Sequence, residues 1–232
     1  MGGRVPLIVG IGALRTDQAQ ELARDAEAER ADALLLAPVS YTPLTQDEAC
    51  EHFRAIAAAT DLPLCIYNNP STTHFNFGTD LLARLSEIES IRAMKMPLPA
   101  GGDFDGELPI FWARTGLSVG CSGDWGMAAA MLAGADVFYS VLAGMLPRTA
   151  LSLVRAAQTG DLEKTRGIDD TLSPLWDTFR VYGSLRVVYA LLDILNLGTA
   201  EPPRPLLPLA PDARLRVTAA VEPLLSMEFG YP

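Results

Sequence analysis

The chain has 232 residues, a formal charge of −10 and a pI near 4.6, so clustered positive charge for a nucleic acid or an anionic membrane is not part of its make-up. With 49% hydrophobic and 20% charged residues it has the composition of a globular protein and is long enough for a sizeable core. The charge is unevenly built: of 18 cations only Lys95 and Lys164 are lysine and the other 16 are arginine.

Short apolar, β-prone runs alternate with longer stretches of helical spacing through residue 147. Strands are predicted at 5–11, 33–38, 63–67, 91–96, 117–122 and 136–142. Helices are predicted between them at 16–30, 45–60, 78–88, roughly 105–114 and 125–134. The second opens on Thr45-x-x-Glu48, a capping box, and lines Ala49, Phe53, Ile56 and Ala57 along one face. Strand–turn–helix units in series imply a parallel sheet, and strands apolar nearly throughout imply cover on both faces. From 148 onward the pattern is helical only: 148–158, 161–180, 184–197 with Leu185, Val188, Tyr189 and Leu192 on one face, Gly198 as a C-cap, a Pro-rich connection from Glu201 to Pro211, and a last helix over 212–225. The domain reading is therefore 1–147 for the βα units and 148–232 for a helical extension packed on them.

The three cysteines (Cys50, Cys65, Cys121), an odd number at wide spacings, fit reduced thiols and form no CxxC motif. The sequence has no apolar run of the ~18 residues needed to span a bilayer, and no basic-then-apolar leader. These features predict a cytoplasmic protein without membrane or nucleic-acid partners. His52 and His74, the two histidines, lack metal-ligand spacing, and Gly10-Ile-Gly12 lacks the third glycine of a dinucleotide fingerprint.

Lys95 carries the most chemical information. It lies inside a strand, on the face of Ile91 and Ala93. Lysine is seldom buried without cause, and a desolvated ammonium gives up its proton to become an amine nucleophile suited to imine chemistry on a keto acid. The alternative is a strand-end lysine reaching out to solvent. An arginine-biased chain favours the first, because arginine forms no imine. Lys164, in a polar helix, reads as a solvated charge. Tyr67 ends the preceding strand, at the edge where parallel α/β folds collect their active sites. A phenol there relays a proton, holds a carboxylate, or packs the mouth of the sheet. The Asn68-Asn69-Pro70-Ser71 that follows is turn chemistry. Gly123 and Asp124 follow another strand end: the glycine permits close approach of a ligand, and Asp124 either binds a hydroxyl or, the favoured reading, caps the next helix. Ser140, beside Tyr139, either bonds a substrate carboxylate or fills space.

These residues resemble a known family. IYNNPSTT (66–73), with a strand lysine in AMKMP (93–97) 28 residues after Tyr67, is similar to the dihydrodipicolinate synthase/N-acetylneuraminate lyase family of Schiff-base aldolases. RVPLIVGIGALRT (4–16), ALLLAPVSYTPLTQDEACEHFRAI (33–56), CSGDW (121–125), YSVLAGMLP (139–147) and, more weakly, the tail from 183 resemble further parts of it. The resemblance implies a TIM-barrel-type (β/α)8 fold with a C-terminal helical extension, here truncated at the N terminus to about six strands, the third to eighth. Two open sheet edges would follow. It also implies that Lys95 forms an imine with pyruvate or a related 2-oxo acid, that Tyr67 is the proton relay, that no metal or organic cofactor is needed, and that the protein is a homo-oligomer, a dimer or tetramer.

Substrate-contacting positions carried over are Ser40, Thr72, Gly123, Asp124, Tyr139 and Ser140. Several depart from the family's pattern. The Gly-Thr-Thr-Gly-type turn that holds the keto-acid carboxylate does not occur. Thr72 stands where the synthases have an arginine, and Ser40 where they have a relay tyrosine, with Tyr41 beside it. Trp125 and Gly126 follow Asp124 where the sialic-acid lyases have acidic residues. The resemblance thus implies a lyase or aldolase with a less hydroxylated substrate; the rival readings are a sugar-acid dehydratase on the same scaffold and an inactive barrel or binding protein.

Overall fold

The structure is a computed structural model and describes residues 3–230. Its elements run in chain order as β1 (Ile8–Gly10), α1 (Thr16–Ala28), β2 (Ala33–Leu36), α2 (Gln46–Ala57), β3 (Leu64–Tyr67), α3 (Pro70–Thr73), α4 (Thr79–Ser86), β4 (Ile91–Met96), α5 (Phe104–Thr115), β5 (Ser118–Ser122), α6 (Met127–Leu132) and β6 (Val137–Tyr139). The helices α7 (Pro147–Gln158), α8 (Leu162–Tyr182), α9 (Ser184–Ile194), α10 (Pro211–Val221) and α11 (Leu225–Phe229) complete the chain. The six strands form one sheet in the order β1-β2-β3-β4-β5-β6, and the pairings from β1 to β5 are parallel. This is the α/β fold expected from the alternating pattern, with each predicted strand present. Two compact units divide the described residues: 3–121 with 135–137, and 122–134 with 138–230.

In the first unit one face of the sheet is fully covered and the other only in part, which corrects the expectation of cover on both. The row made by Leu34, Leu36, Ile66, Met94, Val119 and Cys121 is buried, at 0% exposure in every case. Its counterparts are the apolar stripes Ala19, Ala23 and Ala26 of α1, Ala49, Cys50, Phe53 and Ile56 of α2, and Leu81, Leu82 and Leu85 of α4. Fully burying a leucine, isoleucine or phenylalanine of these stripes contributes about 1.5–3 kcal/mol, and the alanines of α1 let that helix approach closely. The other row is only partly covered: Ile8 and Ser118 are exposed, Ala33, Leu35, Ala93 and Lys95 are half-buried, and Cys65 and Gly120 are buried. The strands look apolar throughout because the partly covered row is also built of Ala and Leu.

The capping box at α2 forms as predicted: Thr45 Oγ1 accepts from the Glu48 N–H at 3.2 Å, and Glu48 accepts from the Thr45 N–H at 2.7 Å. Those bonds hold the Glu48 carboxyl below its ordinary value. On the buried face Cys50 takes the place expected for Ala57.

In the second unit, helices α7, α8, α9 and α10 pack pairwise, α8 touching each of the other three. Two expectations for α9 change. The buried stripe is Val187, Ala190 and Leu191, and Leu185 is exposed; the helix is apolar nearly all round, so periodicity did not select a face. The helix also stops before Gly198. Asn196 adopts the left-handed conformation (φ 55°), and the N–H groups of Asn196 and Leu197 donate back to the carbonyls of Asp193 and Leu192. That is a Schellman ending with asparagine in the glycine position. The α7 N-terminus is closed from a distance: the buried Glu228 carboxylate accepts from the backbone N–H of Arg148 (3.1 Å) and Thr149 (2.8 Å) and from the Thr149 hydroxyl (2.9 Å).

Candidate active site

Lys95 and Tyr67 meet because β3 and β4 are adjacent and in register. Tyr67 stands directly beside Lys95 across the parallel ladder, and the Asn68 N–H donates to the Lys95 carbonyl at 2.9 Å, fixing that register at its last residue. On the other flank Lys95 stands beside Gly120 of β5, which brings no side chain to the row. The Lys95 Nζ lies 4.0 Å from the Tyr67 ring centroid, a cation–π contact. Both side chains are half-buried, so Lys95 is less enclosed than expected from the sequence. The same strand alternation sends Met94 and Met96 to the helix-covered face. Lys164 is exposed on α8, as expected.

A short hydrogen-bond chain continues from the phenol. The Tyr67 hydroxyl oxygen accepts from Asn69 Nδ2 at 3.1 Å, and Asn69 Oδ1 accepts from the Ser71 hydroxyl at 2.8 Å. Asn69 read as turn chemistry in the sequence; the available signal was its place two residues after Tyr67, which returns a side chain to the same side of an extended chain. The residues after it, expected to be a turn, form the single-turn helix α3.

The other predicted positions fall into separate places. Thr72 is exposed on α3, its N–H donating to the Asn69 carbonyl. Ser40 lies beyond the end of β2, where its hydroxyl accepts from the Thr42 N–H at 3.2 Å; the neighbouring Tyr41 is 97% exposed. Ser40 also lines a cleft of about 470 Å³ with Thr16, Glu48, Glu51 and His52. There His52 Nδ1 is hydrogen-bonded to Thr16 Oγ1 at 2.9 Å while Nε2 is buried without a partner, and burial holds the imidazole below its ordinary value.

In the second unit Asp124 is buried and does not cap the following 3-10 turn, contrary to the favoured reading. Instead its carboxylate gathers the segment after β6. It accepts from the Ser140 hydroxyl at 2.5 Å, the Val141 N–H at 3.2 Å and the Leu142 N–H at 3.0 Å. Ser140 in turn accepts from the Ala143 N–H at 3.0 Å. Gly123 supports this with a positive φ of 107°, and Tyr139 is half-buried at the end of β6. Strand 136–142 was expected to run further; these bonds to Asp124 turn the chain into a 3-10 turn at Leu142.

Two sets of predicted residues are thus each brought together, Tyr67 with Lys95 and Asp124 with Ser140. Among the described residues no group of three His, Cys, Asp or Glu is placed to hold a metal ion, and no helix is long and apolar enough to cross a membrane. Buried Cys121 has its thiol pushed up to about 11, chiefly by desolvation, with Glu107 adding to the shift.

Comparison with known proteins gives a consistent result. A family model described as the dihydrodipicolinate synthetase family matches residues 1–224. A 4-hydroxy-tetrahydrodipicolinate synthase of Corynebacterium aurimucosum is 35% identical over 222 residues, which are 95% of this chain and 68% of that protein. The enzyme of the same name from Thermomicrobium roseum is 34% identical, over 94% of this chain and 72% of the relative. A crystal structure of a dihydrodipicolinate synthase from Agrobacterium tumefaciens superposes with a TM-score of 0.94 at 57% identity, covering 96% of this chain and 76% of that one. The chain therefore belongs to the dihydrodipicolinate synthetase family, a family of class I, Schiff-base-forming lyases.

Proposed function

We propose that this protein is a Schiff-base aldolase acting on pyruvate or a closely related 2-oxo acid, with Lys95 as the nucleophile and Tyr67 as the proton relay. The observation that carries the reading is the in-register pair, with the Lys95 Nζ 4.0 Å from the centre of the Tyr67 ring at the carboxyl ends of β3 and β4. In the reaction the Lys95 nitrogen adds to the C2 carbonyl of the 2-oxo acid. The carbonyl oxygen departs as water and leaves a C=N bond to the lysine. The protonated imine draws electrons from C3, which gives up a proton and becomes an enamine. The enamine carbon then adds to an aldehyde, whose oxygen takes up a proton. Hydrolysis of the C=N bond frees the lysine, and cleavage is the same path reversed. Tyr67 moves the protons that these steps release and consume.

Family membership supports this chemistry and its independence of a separate cofactor. In this reading the chain carries the third to eighth strands of a (β/α)8 barrel, and Ser40, Thr72, Gly123, Asp124, Tyr139 and Ser140 are the substrate-contacting positions. Threonine at 72, where the synthases have an arginine for their carboxylated second substrate, favours an acceptor without a carboxylate. The protein works as a cytoplasmic homo-oligomer, a dimer or tetramer.

The test is borohydride trapping with pyruvate followed by peptide mass spectrometry. The expected result is a reduced adduct on Lys95 that disappears in Lys95→Arg. A wild-type protein with no adduct, or unchanged labelling in Lys95→Arg, overturns the reading.

A further inference from the structure

We propose that Asn69 is a positioning residue for Tyr67, holding the phenol so that its own proton faces the reacting centre; this rests on the reading of Tyr67 as the relay. Asn69 occupies the N-cap position of α3, where an asparagine side chain ordinarily accepts from a backbone N–H one turn on. It makes no such bond. Its backbone carbonyl starts the helix in the ordinary way, accepting from the N–H groups of Thr72 (3.0 Å) and Thr73 (2.9 Å) and from the Thr73 hydroxyl (3.0 Å). The side chain is turned the other way, onto the Tyr67 oxygen at 3.1 Å. The Ser71 hydroxyl donates to Oδ1 at 2.8 Å, with Nδ2 turned toward the phenol.

The consequence follows from counting donors. A phenol has one O–H and a limited acceptor capacity. With Asn69 Nδ2 donating to the oxygen, the Tyr67 hydrogen cannot be spent on that amide and is left to a partner on another side. The ring is fixed at the same time, and Lys95 Nζ sits over it at 4.0 Å. Asn69 thus sets both the direction of the relay's proton and the aromatic face that the imine nitrogen meets. An aspartate of the same size at this position would reverse the polarity, accepting the phenol proton and drawing it away from the substrate.

The experiment compares Asn69→Ala and Asn69→Asp with wild type in two measurements. One is borohydride trapping of pyruvate at Lys95. The other is exchange of the pyruvate C3 hydrogens with D2O, followed by NMR, which reports proton transfer after the imine has formed. Both variants are expected to trap. Exchange is expected to fall by about tenfold in Asn69→Ala, the rate equivalent of one hydrogen bond, and further in Asn69→Asp. In a Tyr67→Phe background the two substitutions are expected to change nothing more. Exchange at the wild-type rate overturns the inference. So does Asn69→Asp exchanging no more slowly than Asn69→Ala, or a loss that persists without the Tyr67 hydroxyl. Wild-type protein that traps no pyruvate overturns the functional reading itself, and the role of Asn69 with it.

Discussion

Asp124→Asn tests how the segment after β6 is held. The change is isosteric, and the site is 1% exposed, so the consequence is set by hydrogen-bond polarity. In the native protein one carboxylate oxygen accepts from the Ser140 hydroxyl and the Leu142 N–H, and the other accepts from the Val141 N–H. An asparagine keeps one acceptor. Whichever way its amide turns, its NH2 faces at least one of the two backbone N–H groups, a donor against a donor. Leaving that donor unmatched costs about 1–3 kcal/mol, and making the surviving bonds neutral instead of charge-assisted costs roughly 1 kcal/mol more. Relief from burying a charge returns part of this, so a net loss of about 2–3 kcal/mol is expected. Asp124→Ala removes every acceptor and is expected to lose about 4 kcal/mol. Urea unfolding reads the result through Trp125 and Trp176, both in the second unit. An Asn variant within about 0.5 kcal/mol of wild type, or an Ala variant no worse than Asn, would refute the argument.

Three further outcomes are expected. Glu228→Ala leaves the N–H groups of Arg148 and Thr149 without their acceptor, the second of them buried, and should destabilise the protein by about 2–3 kcal/mol; a melting temperature equal to wild type would sink the long-range cap. His52 has its folded value depressed by burial, so its contribution is present above the unfolded value of about 6.5 and is lost as pH falls through the depressed folded value. The loss in melting temperature between pH 7.5 and pH 5 should be smaller in His52→Asn; equal losses count against the assignment. The Cys121 thiol, pushed up to about 11, should resist a disulfide reagent at pH 8 in the folded protein. Its shift contributes stability that is complete below about pH 9 and lost as pH rises to 11, on the order of 2–3 kcal/mol. Cys121→Ala should flatten that alkaline loss, as measured by urea midpoints.

The parts of the protein legible in its sequence are those governed by local pattern. Strand alternation and the Thr45–Glu48 box depend on residues a few positions apart, and both appear in the structure. That Lys95 and Tyr67 stand side by side was legible too, because both lie near the ends of consecutive strands of a parallel sheet. What escaped was non-local. The carboxylate of Glu228 reaches a helix 79 residues away, and Asp124 bonds 16 to 18 residues ahead in place of capping its own helix. Nothing in the spacing of an acidic residue announces such a partner. The burial of α9 escaped for the opposite reason: too many of its faces are apolar for periodicity to choose among them.

The uneven cover of the sheet bears on the traffic of water. Condensing an amine with a ketone expels one water molecule per turnover, and releasing the product takes one back. A lysine sealed beneath side chains would need a moving part to exchange it. On the proposed reading of Lys95 as the nucleophile, its half-buried place beside Gly120 and in line with Ala93 would let that water leave and return without a moving part. The methionines behind it, Met94 and Met96, keep the opposite side of the same strand dry. A six-residue strand thereby separates the half-buried face that carries Lys95 from the packing that supports it.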